Sequence, residues 1–359
     1  MFQPQAASSF SASPQNNSYL KRLCAITQPM DINHRLNAVS FFCGGGGLDL
    51  GLELSGFHFS FANDLENSLC ETIRKNFPRC HAEAEDITKL SGDYIREFSG
   101  ENIHLVAGGP PCQAFSILGN RESFCDPRGQ LVYDYVRVIK ELRPRAFMFE
   151  NVPGLLTIND GKDWEKLKKY FKEETGYKIY SEVLNSANYG VPQIRKRIIV
   201  VGFEDHNAEF SFPRPTHKDP SDKSLIKYDM PEWLPAKQAL EDVDGLPNQR
   251  IRIHSDRVRT RYEQISPGER DAIDHTDRIH PDKPSGTVLV GSRAGGGRPF
   301  IHPFAPRHIT VREAARLQSF PDWYEFMSTV TWQYRAVGNA VPPLLAKAIG
   351  YEIIKSLNG

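Results

Sequence analysis

The chain lacks a net charge, a close pair of cysteines and a long apolar run, and each absence removes a class of protein. Its 44 Lys and Arg residues balance 44 Asp and Glu residues, so no overall field indicates a nucleic-acid partner, although a neutral protein can carry a basic cleft. The six cysteines contain no Cys-x-x-Cys pair and lie between Cys24 and Cys125, which argues against a disulfide framework or a metal site. No stretch approaches the roughly 20 apolar residues of a membrane span. We therefore expect a soluble, cytoplasmic protein without a membrane partner.

Composition divides the 359 residues into four segments. Residues 1–36 are rich in Ser, Gln, Asn and Ala, which predicts a disordered polar tail. Strands alternate with helices over 37–203, and this order predicts an α/β class with a parallel, doubly wound sheet. Residues 204–305 are rich in Pro, Gly, His and charge, which predicts a smaller, irregular insert. Helical periodicity returns over 306–359, which we expect to pack back on the first domain.

The turn before Cys112 makes this cysteine a candidate nucleophile. The apolar run 103–107 predicts a short strand, after which two glycines free the backbone and two prolines stiffen it. Cys112 is thereby presented at the carboxyl end of a strand, where open α/β sheets bind ligands. An ordinary buried cysteine is an inert small apolar residue, but the residues around Cys112 favour exposure. The polar segment 116–129 is a candidate lid over the thiol.

A second feature joins a glycine-rich turn to an acidic residue. Residues 42–48 contain the end of a predicted strand, four consecutive glycines and the start of a helix. Glycines there let a ligand approach the backbone at a helix N-terminus, and Asp64 at the end of the next strand can bond a ribose hydroxyl. A turn needed only for packing is the alternative, which Asp64 disfavours. The combination indicates an adenosine-containing cofactor, and NAD, FAD and S-adenosylmethionine all fit it.

Charged residues near strand ends supply candidate catalytic groups. Glu150 ends an apolar strand, so partial desolvation raises its pKa and suits it to proton donation, although capping of the next segment explains it equally well. Arg195 and Arg197 alternate into a predicted strand and point to one side, where they form a pair of donors for a phosphate or a carbonyl oxygen. A solvated edge is the ordinary alternative for such a charge run.

Arginines also cluster in the insert. The alternation over 250–254 predicts a strand with a basic face, and 291–298 has the composition of a flexible glycine loop that carries Arg293 and Arg298. Such loops can enter a nucleic-acid groove, where arginine contacts phosphate or guanine. A solvated surface is the alternative, and the arginines by themselves do not exclude it.

Six segments in this order resemble those of the cytosine-C5 DNA methyltransferase family, of the bacterial restriction-modification type. The resemblance runs from about Asn37 to the C-terminus and leaves only the tail and the insert outside it. It implies a Rossmann-like, S-adenosylmethionine-dependent domain, completed by 306–359, with a target-recognition domain at 204–305. The segments are Phe-x-Gly-x-Gly-Gly at 42–47, Pro-Cys-Gln at 111–113, Glu-Asn-Val at 150–152, Gln-x-Arg-x-Arg at 193–197, Arg-Glu-Ala-Ala-Arg-Leu-Gln at 312–318 and Gly-Asn-Ala-Val at 338–341.

The resemblance implies base methylation through a covalent intermediate. Cys112 would add to C6 of a flipped-out cytosine, Glu150 would bond and protonate N3, and Arg195 or Arg197 would bond O2 and the backbone. The activated C5 would then take the methyl group of S-adenosylmethionine, leaving S-adenosylhomocysteine. Loss of the C5 proton to a base or water would release Cys112.

The resemblance also implies two sets of binding residues. The cofactor set is Phe42, Gly44, Gly46, Leu48, Asp64, Leu65, Asp86, Ile87, Gly108, Pro110, Leu131, Asn339 and Ala340. The set that contacts the substrate or DNA is Gln113, Ser116, Asn151, Arg293 and Arg298. Leu65 stands where many family members carry an aromatic residue, which weakens stacking on the adenine. Unchanged DNA affinity and specificity after Arg293 and Arg298 both become alanine would contradict their assignment.

Three other functions compete with this one. An RNA cytosine-C5 methyltransferase would share the architecture, but the long insert and the segment 335–341 favour DNA. A DNA-binding regulator without catalysis is disfavoured by the intact Cys112, Glu150, Arg195 and Arg197. A dinucleotide oxidoreductase would explain the glycine turn but not the later segments. The expected partners are double-stranded DNA and a cognate restriction endonuclease or another defence protein, with the chain acting as a monomer.

Overall fold

Helices on both sides of one sheet form the framework of the protein. The computed structural model describes residues 18–26, 35–111, 127–222, 229–289 and 300–358, with the backbone alone for 127–130. The strands are β1 (Leu36–Phe41), β2 (Phe57–Asp64), β3 (His81–Ala84), β4 (Leu105–Gly108), β5 (Ala146–Asn151), β6 (Lys178–Asn185) and β7 (Lys196–Phe203). The α-helices are α1 (Ser18–Cys24), α2 (Gly47–Ser55), α3 (Asn67–Asn76), α4 (Gly92–Ser99), α5 (Pro127–Leu142), α6 (Lys162–Thr175), α7 (Asp256–Glu263), α8 (Val311–Leu317), α9 (Val330–Asn339) and α10 (Pro343–Asn358). Short 3₁₀ helices span Ile87–Lys89, Pro153–Leu156, Ile158–Gly161, Ser186–Tyr189 and Ala236–Ala239.

The predicted α/β class is confirmed, but the sheet is mixed rather than wholly parallel. The seven strands lie in the order β3-β2-β1-β4-β5-β7-β6. β1 to β5 pair in parallel, whereas β7 runs antiparallel to both β5 and β6. In register, Phe41 lies opposite Gly108, Gly108 opposite Phe149, and Asn151 opposite Ile198. The amino end of β7 therefore meets the carboxyl ends of the parallel strands at one edge of the sheet.

Both faces of the central strands are covered. Val106 of β4 packs with Phe41 and Phe149 on the face that α4, α5 and α6 cover. Leu105 and Ala107 of the same strand face the opposite side, which α2, α3 and α10 cover. Successive side chains of a strand point to opposite faces, so a fully buried strand is apolar at every position. The ends of the strands are thus the part of the sheet that is available for a binding site.

The C-terminal helix packs against the first helix of the sheet domain. The buried side of α10 consists mainly of Leu345, Ala346, Ile349, Ile353 and Leu357. α2 approaches it closely at Gly51, where a Cβ would overlap the Ala346 side chain and the Pro343 carbonyl. The last segment of the chain therefore contributes to the same apolar core as β1 and β2. Among the described residues, no helix is long and apolar enough to cross a membrane.

A short helix replaces part of the expected disordered tail, so that expectation is wrong for residues 18–26. Tyr19, Leu20 and Leu23 of α1 are buried, and the Tyr19 hydroxyl donates to the Arg316 carbonyl. The Trp323 indole Nε1 donates to the Ile26 carbonyl at 2.6 Å. The apolar spacing of one helical face was present in the sequence, but the polar composition on either side obscured it.

The insert is largely irregular, as its composition predicted, but the strand expected at 250–254 is absent. These residues form an irregular segment in which Ile253 is 92% exposed, because no neighbouring strand pairs with them in the described structure. The insert contacts α8 and the segment before it through buried polar groups. The Tyr262 hydroxyl lies 2.9 Å from Nε2 of His308, and Nε2 of His302 lies 3.8 Å from Oε1 of Glu313.

These two histidines should make stability depend on pH. Burial lowers the pKa of His302 and of His308 to about 4, from the ordinary value of 6.5. Between these values the unfolded chain binds more protons than the folded chain, so acid favours unfolding. The free energy of unfolding should fall as the pH falls from about 7 to 4, by roughly 3 kcal/mol per histidine at the lower limit. Urea denaturation at a series of pH values measures this slope.

A pair of variants isolates the contribution of one histidine. His308→Gln should flatten the dependence of the unfolding free energy on pH, because the neutral amide cannot take up the proton. His275→Asn, which replaces an exposed histidine, is the control. Identical slopes for the wild-type protein and His308→Gln would contradict the prediction.

Candidate active site

The candidate functional residues collect at the edge where the parallel strands end. Asp64 is the last residue of β2, Phe42 follows β1, Gly109 follows β4, and Glu150 lies next to the end of β5. Parallel neighbours end at the same level, so these residues lie side by side although they are far apart in the sequence. β7 reaches this edge with its amino end, which places Arg197 beside Glu150.

An open cavity of about 1290 Å³ lies at this edge of the sheet. Its lining includes Glu150, Asn151, Arg195 and Arg197 from the predicted catalytic and substrate-contacting residues. Pro111, which directly precedes Cys112 in the chain, also lines it. From the predicted cofactor residues, the lining includes Phe42, Gly44, Leu48, Asp64, Leu65, Asp86, Ile87, Pro110, Leu131, Asn339 and Ala340.

Two predicted cofactor residues, Gly46 and Gly108, are not among the residues that line the cavity. Gly46 has a φ of 71°, and a Cβ there would overlap the Tyr324 hydroxyl. A Cβ on Gly108 would lie 2.7 Å from Cε2 of Tyr135. Both glycines therefore allow core side chains to pack closely. The remaining predicted site residues lie outside the described part of the chain, namely Cys112, Gln113, Ser116, Arg293 and Arg298.

Glu150 and Arg197 form an ion pair in the cavity. Nε of Arg197 lies 2.7 Å from Oε1 of Glu150, and the two side chains are 12% and 13% exposed. Burial raises the pKa of Glu150, and the positive charges of Arg197 and Arg195 oppose this rise. Gly109 makes room for the carboxylate, because a Cβ there would lie 2.8 Å from Oε2 of Glu150. Glu150 therefore keeps a proton to a higher pH than an exposed glutamate does, which suits it to proton donation.

Arg195 carries a buried guanidinium with free donors. Arg195 is 1% exposed. Burial lowers the pKa of its guanidinium to about 9, and the positive charge of Arg197 lowers this pKa further. Nη1 donates to the Val288 carbonyl at 3.5 Å, whereas Nε and Nη2 have no partner among the described residues. A buried donor without a partner is costly. Nε and Nη2 are therefore candidates to bond an acceptor on a ligand in the cavity.

Gln193, to which sequence reasoning gave no separate role, holds the arginine segment in place. It is fully buried, its Oε1 accepts from the Val288 amide at 3.2 Å, and its Nε2 donates to the Leu317 carbonyl at 3.3 Å. The Ser186 hydroxyl donates to the Gln193 carbonyl at 2.7 Å. These bonds connect the segment of Arg195 to the insert and to α8, and so restrict where the guanidinium can lie.

Asn151 and Asp64 both bond to the backbone of neighbouring turns. Nδ2 of Asn151, a predicted substrate contact, donates to the Pro110 carbonyl at 2.9 Å, so this side chain positions the turn before Cys112. Asp64 accepts from the amide of Gly44 at 3.0 Å and from that of Glu66 at 3.1 Å, and burial raises its pKa. Each carboxylate oxygen has two lone pairs, so Asp64 can also accept a hydrogen bond from a hydroxyl group of a ligand.

Helix α9 supplies two cavity residues that sequence reasoning missed. Trp332, Arg335 and Asn339 are three and four residues apart, which places them on one face of the helix, and all three line the cavity. The guanidinium carbon of Arg335 lies 4.6 Å from the centre of the Trp332 ring. Their helical spacing from Asn339 was the signal that could have revealed them.

Gly45→Ala should disturb the contact between α9 and the glycine-rich turn. A Cβ at residue 45 would overlap the Ala336 carbonyl, a backbone group that cannot rotate away by itself. We expect the free energy of unfolding to fall by about 1–3 kcal/mol, as measured by urea denaturation. Gly154→Ala is the matched control, since a Cβ there meets no described atom within 4 Å. Equal stability of the two variants would show that the contact tolerates a methyl group.

Comparison with known proteins assigns the family. A family model described as C-5 cytosine-specific DNA methylase matches residues 36–355. The type II methyltransferase M.XorII of Xanthomonas oryzae pv. oryzae is 34% identical over 89% of the chain and 84% of that protein. The type II methyltransferase M1.HphI of Haemophilus parahaemolyticus is 36% identical over 89% of the chain and 87% of that protein.

A solved structure agrees with this assignment. The crystal structure of a putative DNA modification methyltransferase encoded within an E. coli prophage has a TM-score of 0.73 and 26% identity, and the match covers 90% of the chain and 100% of that structure. The family model spans the glycine-rich turn, the cavity residues and most of α10. Because it covers nearly the whole chain, the protein belongs to the C-5 cytosine-specific DNA methylase family.

Proposed function

We propose that the protein transfers a methyl group from S-adenosylmethionine to C5 of cytosine within a specific sequence of double-stranded DNA. The observation that carries this proposal is the grouping of Glu150, Arg197 and the free donors of Arg195 in one cavity, beside Pro111. Cys112, the candidate nucleophile, follows Pro111 directly in the chain. Family membership supports DNA, and not RNA, as the substrate.

The cavity residues fit S-adenosylmethionine. Four acidic side chains, Asp64, Glu66, Glu85 and Asp86, line it and suit the ribose hydroxyls and the positive charge of this cofactor. Phe42 adopts the left-handed conformation with a φ of 54°, which is uncommon for a bulky residue, and it also lines the cavity. We assign its ring to the adenine, Asp64 to the ribose and Asp86 to the adenine amine. When bound, S-adenosylmethionine supplies an electrophilic methyl group.

The remaining residues activate the cytosine. The Cys112 thiolate forms a bond to C6 while N3 takes a proton from Glu150, which places electron density on C5. Arg195 donates to O2 of the base, and Arg197 holds the Glu150 carboxyl group in place. Transfer of the methyl group to C5 would leave S-adenosylhomocysteine. The C5 proton then leaves to a base or water, and the N3 proton returns to Glu150. The electrons of that C–H bond re-form the ring double bond as the Cys112–C6 bond breaks.

The target base must leave the duplex to reach the cavity, at a cost of a few kcal/mol in lost stacking. We assign 204–305 to target recognition, and 37–203 with 306–359 to catalysis. Arg293 and Arg298 are the proposed DNA contacts of the recognition region. Relatives named type II methyltransferases support a role in restriction-modification. In that role the protein would act as a monomer in the cytoplasm, and its methylation would protect DNA from a cognate restriction endonuclease.

Methyl transfer and its position on DNA test the proposal together. The protein is incubated with S-adenosylmethionine labelled in the methyl group and with duplex DNA, and 5-methylcytosine is then mapped by bisulfite sequencing. We expect label at one cytosine of a short recurring sequence. Label on RNA but not on DNA, or at another atom of the base, would contradict the proposal.

Two cysteine variants test the covalent step. Cys112→Ala should abolish the label, whereas Cys24→Ala, which removes an exposed thiol in α1, should retain it. In the presence of S-adenosylmethionine, a duplex with 5-fluorocytosine at the mapped position should trap the wild-type protein covalently, because C5, once methylated, has no proton to lose. Methyl transfer by Cys112→Ala would overturn the mechanism.

A further inference from the structure

A cation lines the cavity on α9 beside an aromatic ring. The Trp332 ring packs against the apolar core and so provides a fixed surface, 4.6 Å from the guanidinium carbon of Arg335. A guanidinium stacked on a ring loses less freedom when it binds a ligand than a mobile side chain does. The Trp332–Arg335 pair is thus a preorganised cationic group facing the cavity.

The charges around the cavity single out Arg335. Three arginines line it, and Arg197 is paired with Glu150 while Arg195 lies close enough to act on the same carboxyl group. Within the described part of the chain, Arg335 makes no ion pair, and its guanidinium lies over the Trp332 ring. A cation in this position suits an anionic group of a ligand.

The place of α9 indicates which part of a ligand it meets. Ala336, next to Arg335, lies so close to Gly45 that a Cβ there would overlap the Ala336 carbonyl. A Cβ on Gly47 would likewise overlap the Val341 carbonyl just after α9. The helix is therefore pressed against the glycine-rich turn, whereas Asp64 and Asp86, assigned to the nucleoside, lie at the end of β2 and after β3.

We propose that Arg335, held on the Trp332 ring, binds the α-carboxylate of the amino-acid part of S-adenosylmethionine and of S-adenosylhomocysteine. This inference rests on the proposed function, since it assumes that the cavity takes this cofactor. The carboxylate is the anionic group of the cofactor, and the nucleoside assignment leaves the amino-acid end for the side of the glycine-rich turn and α9. A charge-assisted bond of this kind changes affinity by roughly 10- to 100-fold.

Calorimetry with two ligands tests the assignment. S-adenosylhomocysteine carries the carboxylate, whereas 5′-methylthioadenosine keeps the nucleoside and the sulfur but lacks the amino-acid group. Arg335→Gln should weaken the binding of S-adenosylhomocysteine by roughly 10- to 100-fold. The affinity for 5′-methylthioadenosine should stay within about 2-fold of the wild-type value. Arg335→Lys should lose less affinity for S-adenosylhomocysteine than Arg335→Gln does. Trp332→Leu should also weaken the binding of S-adenosylhomocysteine only. Arg214→Gln, an exposed arginine away from the cavity lining, is the control.

Each other outcome contradicts a different statement. Equal losses for both ligands, or no loss for either, would overturn the role of Arg335 while leaving the proposed function intact. Unchanged S-adenosylhomocysteine binding with weaker DNA binding and a smaller salt dependence would assign Arg335 to a DNA phosphate instead. Failure of the wild-type protein to bind S-adenosylhomocysteine at all would contradict the proposed function itself. Thermal unfolding of every variant separates these results from loss of the fold.

Discussion

Glu150→Gln is expected to lower kcat for methyl transfer by roughly 10²- to 10⁴-fold while leaving the affinity for S-adenosylhomocysteine unchanged. Glutamine keeps the shape of the side chain, and its oxygen can still accept from Nε of Arg197, which lies 2.7 Å from Oε1 of Glu150 in the wild-type protein. It has no acidic proton to give to N3 of the base. The loss should therefore fall on the chemical step, since burial raises the pKa of Glu150 and keeps that proton available in the native site.

Single-turnover methyl transfer to duplex DNA measures this effect without interference from product release. Trapping on the 5-fluorocytosine duplex should slow in the same proportion, because bond formation by Cys112 depends on the proton at N3. Glu182→Gln on the exposed side of β6 is the matched control and should retain wild-type kinetics. A kcat for Glu150→Gln close to that of the wild-type protein would show that N3 is not protonated by this residue.

Removal of residues 343–359 is expected to unfold the sheet domain. The deletion takes away Leu345, Ile349, Ile353 and Leu357, each buried against the core. Burial of such a side chain contributes about 1.5–3 kcal/mol, so four of them contribute on the order of 6–12 kcal/mol. A typical domain has a free energy of unfolding of about 5–15 kcal/mol. The lost contacts thus match the whole stability, and the apolar face of α2 would become exposed.

Circular dichroism and thermal unfolding of the shortened protein test this expectation. A cooperative transition at the wild-type temperature would contradict it. Point variants give a graded version of the same measurement: Ile349→Ala on the buried face should cost about 2–5 kcal/mol, and Lys355→Ala on the exposed face should change stability by less than about 0.5 kcal/mol. Equal stability of these two variants would mean that α10 does not pack as described.

Local patterns were sufficient to locate some of the strands and the residues at their ends. The apolar run before Cys112 predicted a strand at 103–107, and the structure has it at Leu105–Gly108. Asp64 and Glu150 were both predicted to lie at strand ends, and both do. Period-two alternation and runs of apolar residues are properties of a few consecutive residues, so they are readable without knowing what packs against them.

Features that depend on residues distant in the sequence could not be predicted from local patterns. The alternation at 250–254 predicted a strand, but no described segment pairs with it and it stays irregular. Gly46 and Gly108 belong to patterns that suggested ligand contact, yet Tyr324 and Tyr135 occupy the space beside them. The helix α1 is stabilised by contacts with residues about 300 positions later, such as the Tyr19 bond to Arg316, and local composition contains no record of them.

The sequence by itself identified the candidate groups, namely a thiol after two prolines, a carboxyl group at a strand end and an arginine pair. Only the tertiary structure decided that the carboxyl group and the arginine pair lie in one cavity, beside Pro111. A parallel β7 would begin at the opposite edge of the sheet, far from Glu150, whereas the antiparallel strand begins at the same edge and places Arg197 2.7 Å from the carboxylate. Strand direction is set by the hydrogen bonds and packing of the whole sheet, including the pairing with β6, and such long-range interactions are absent from any local pattern.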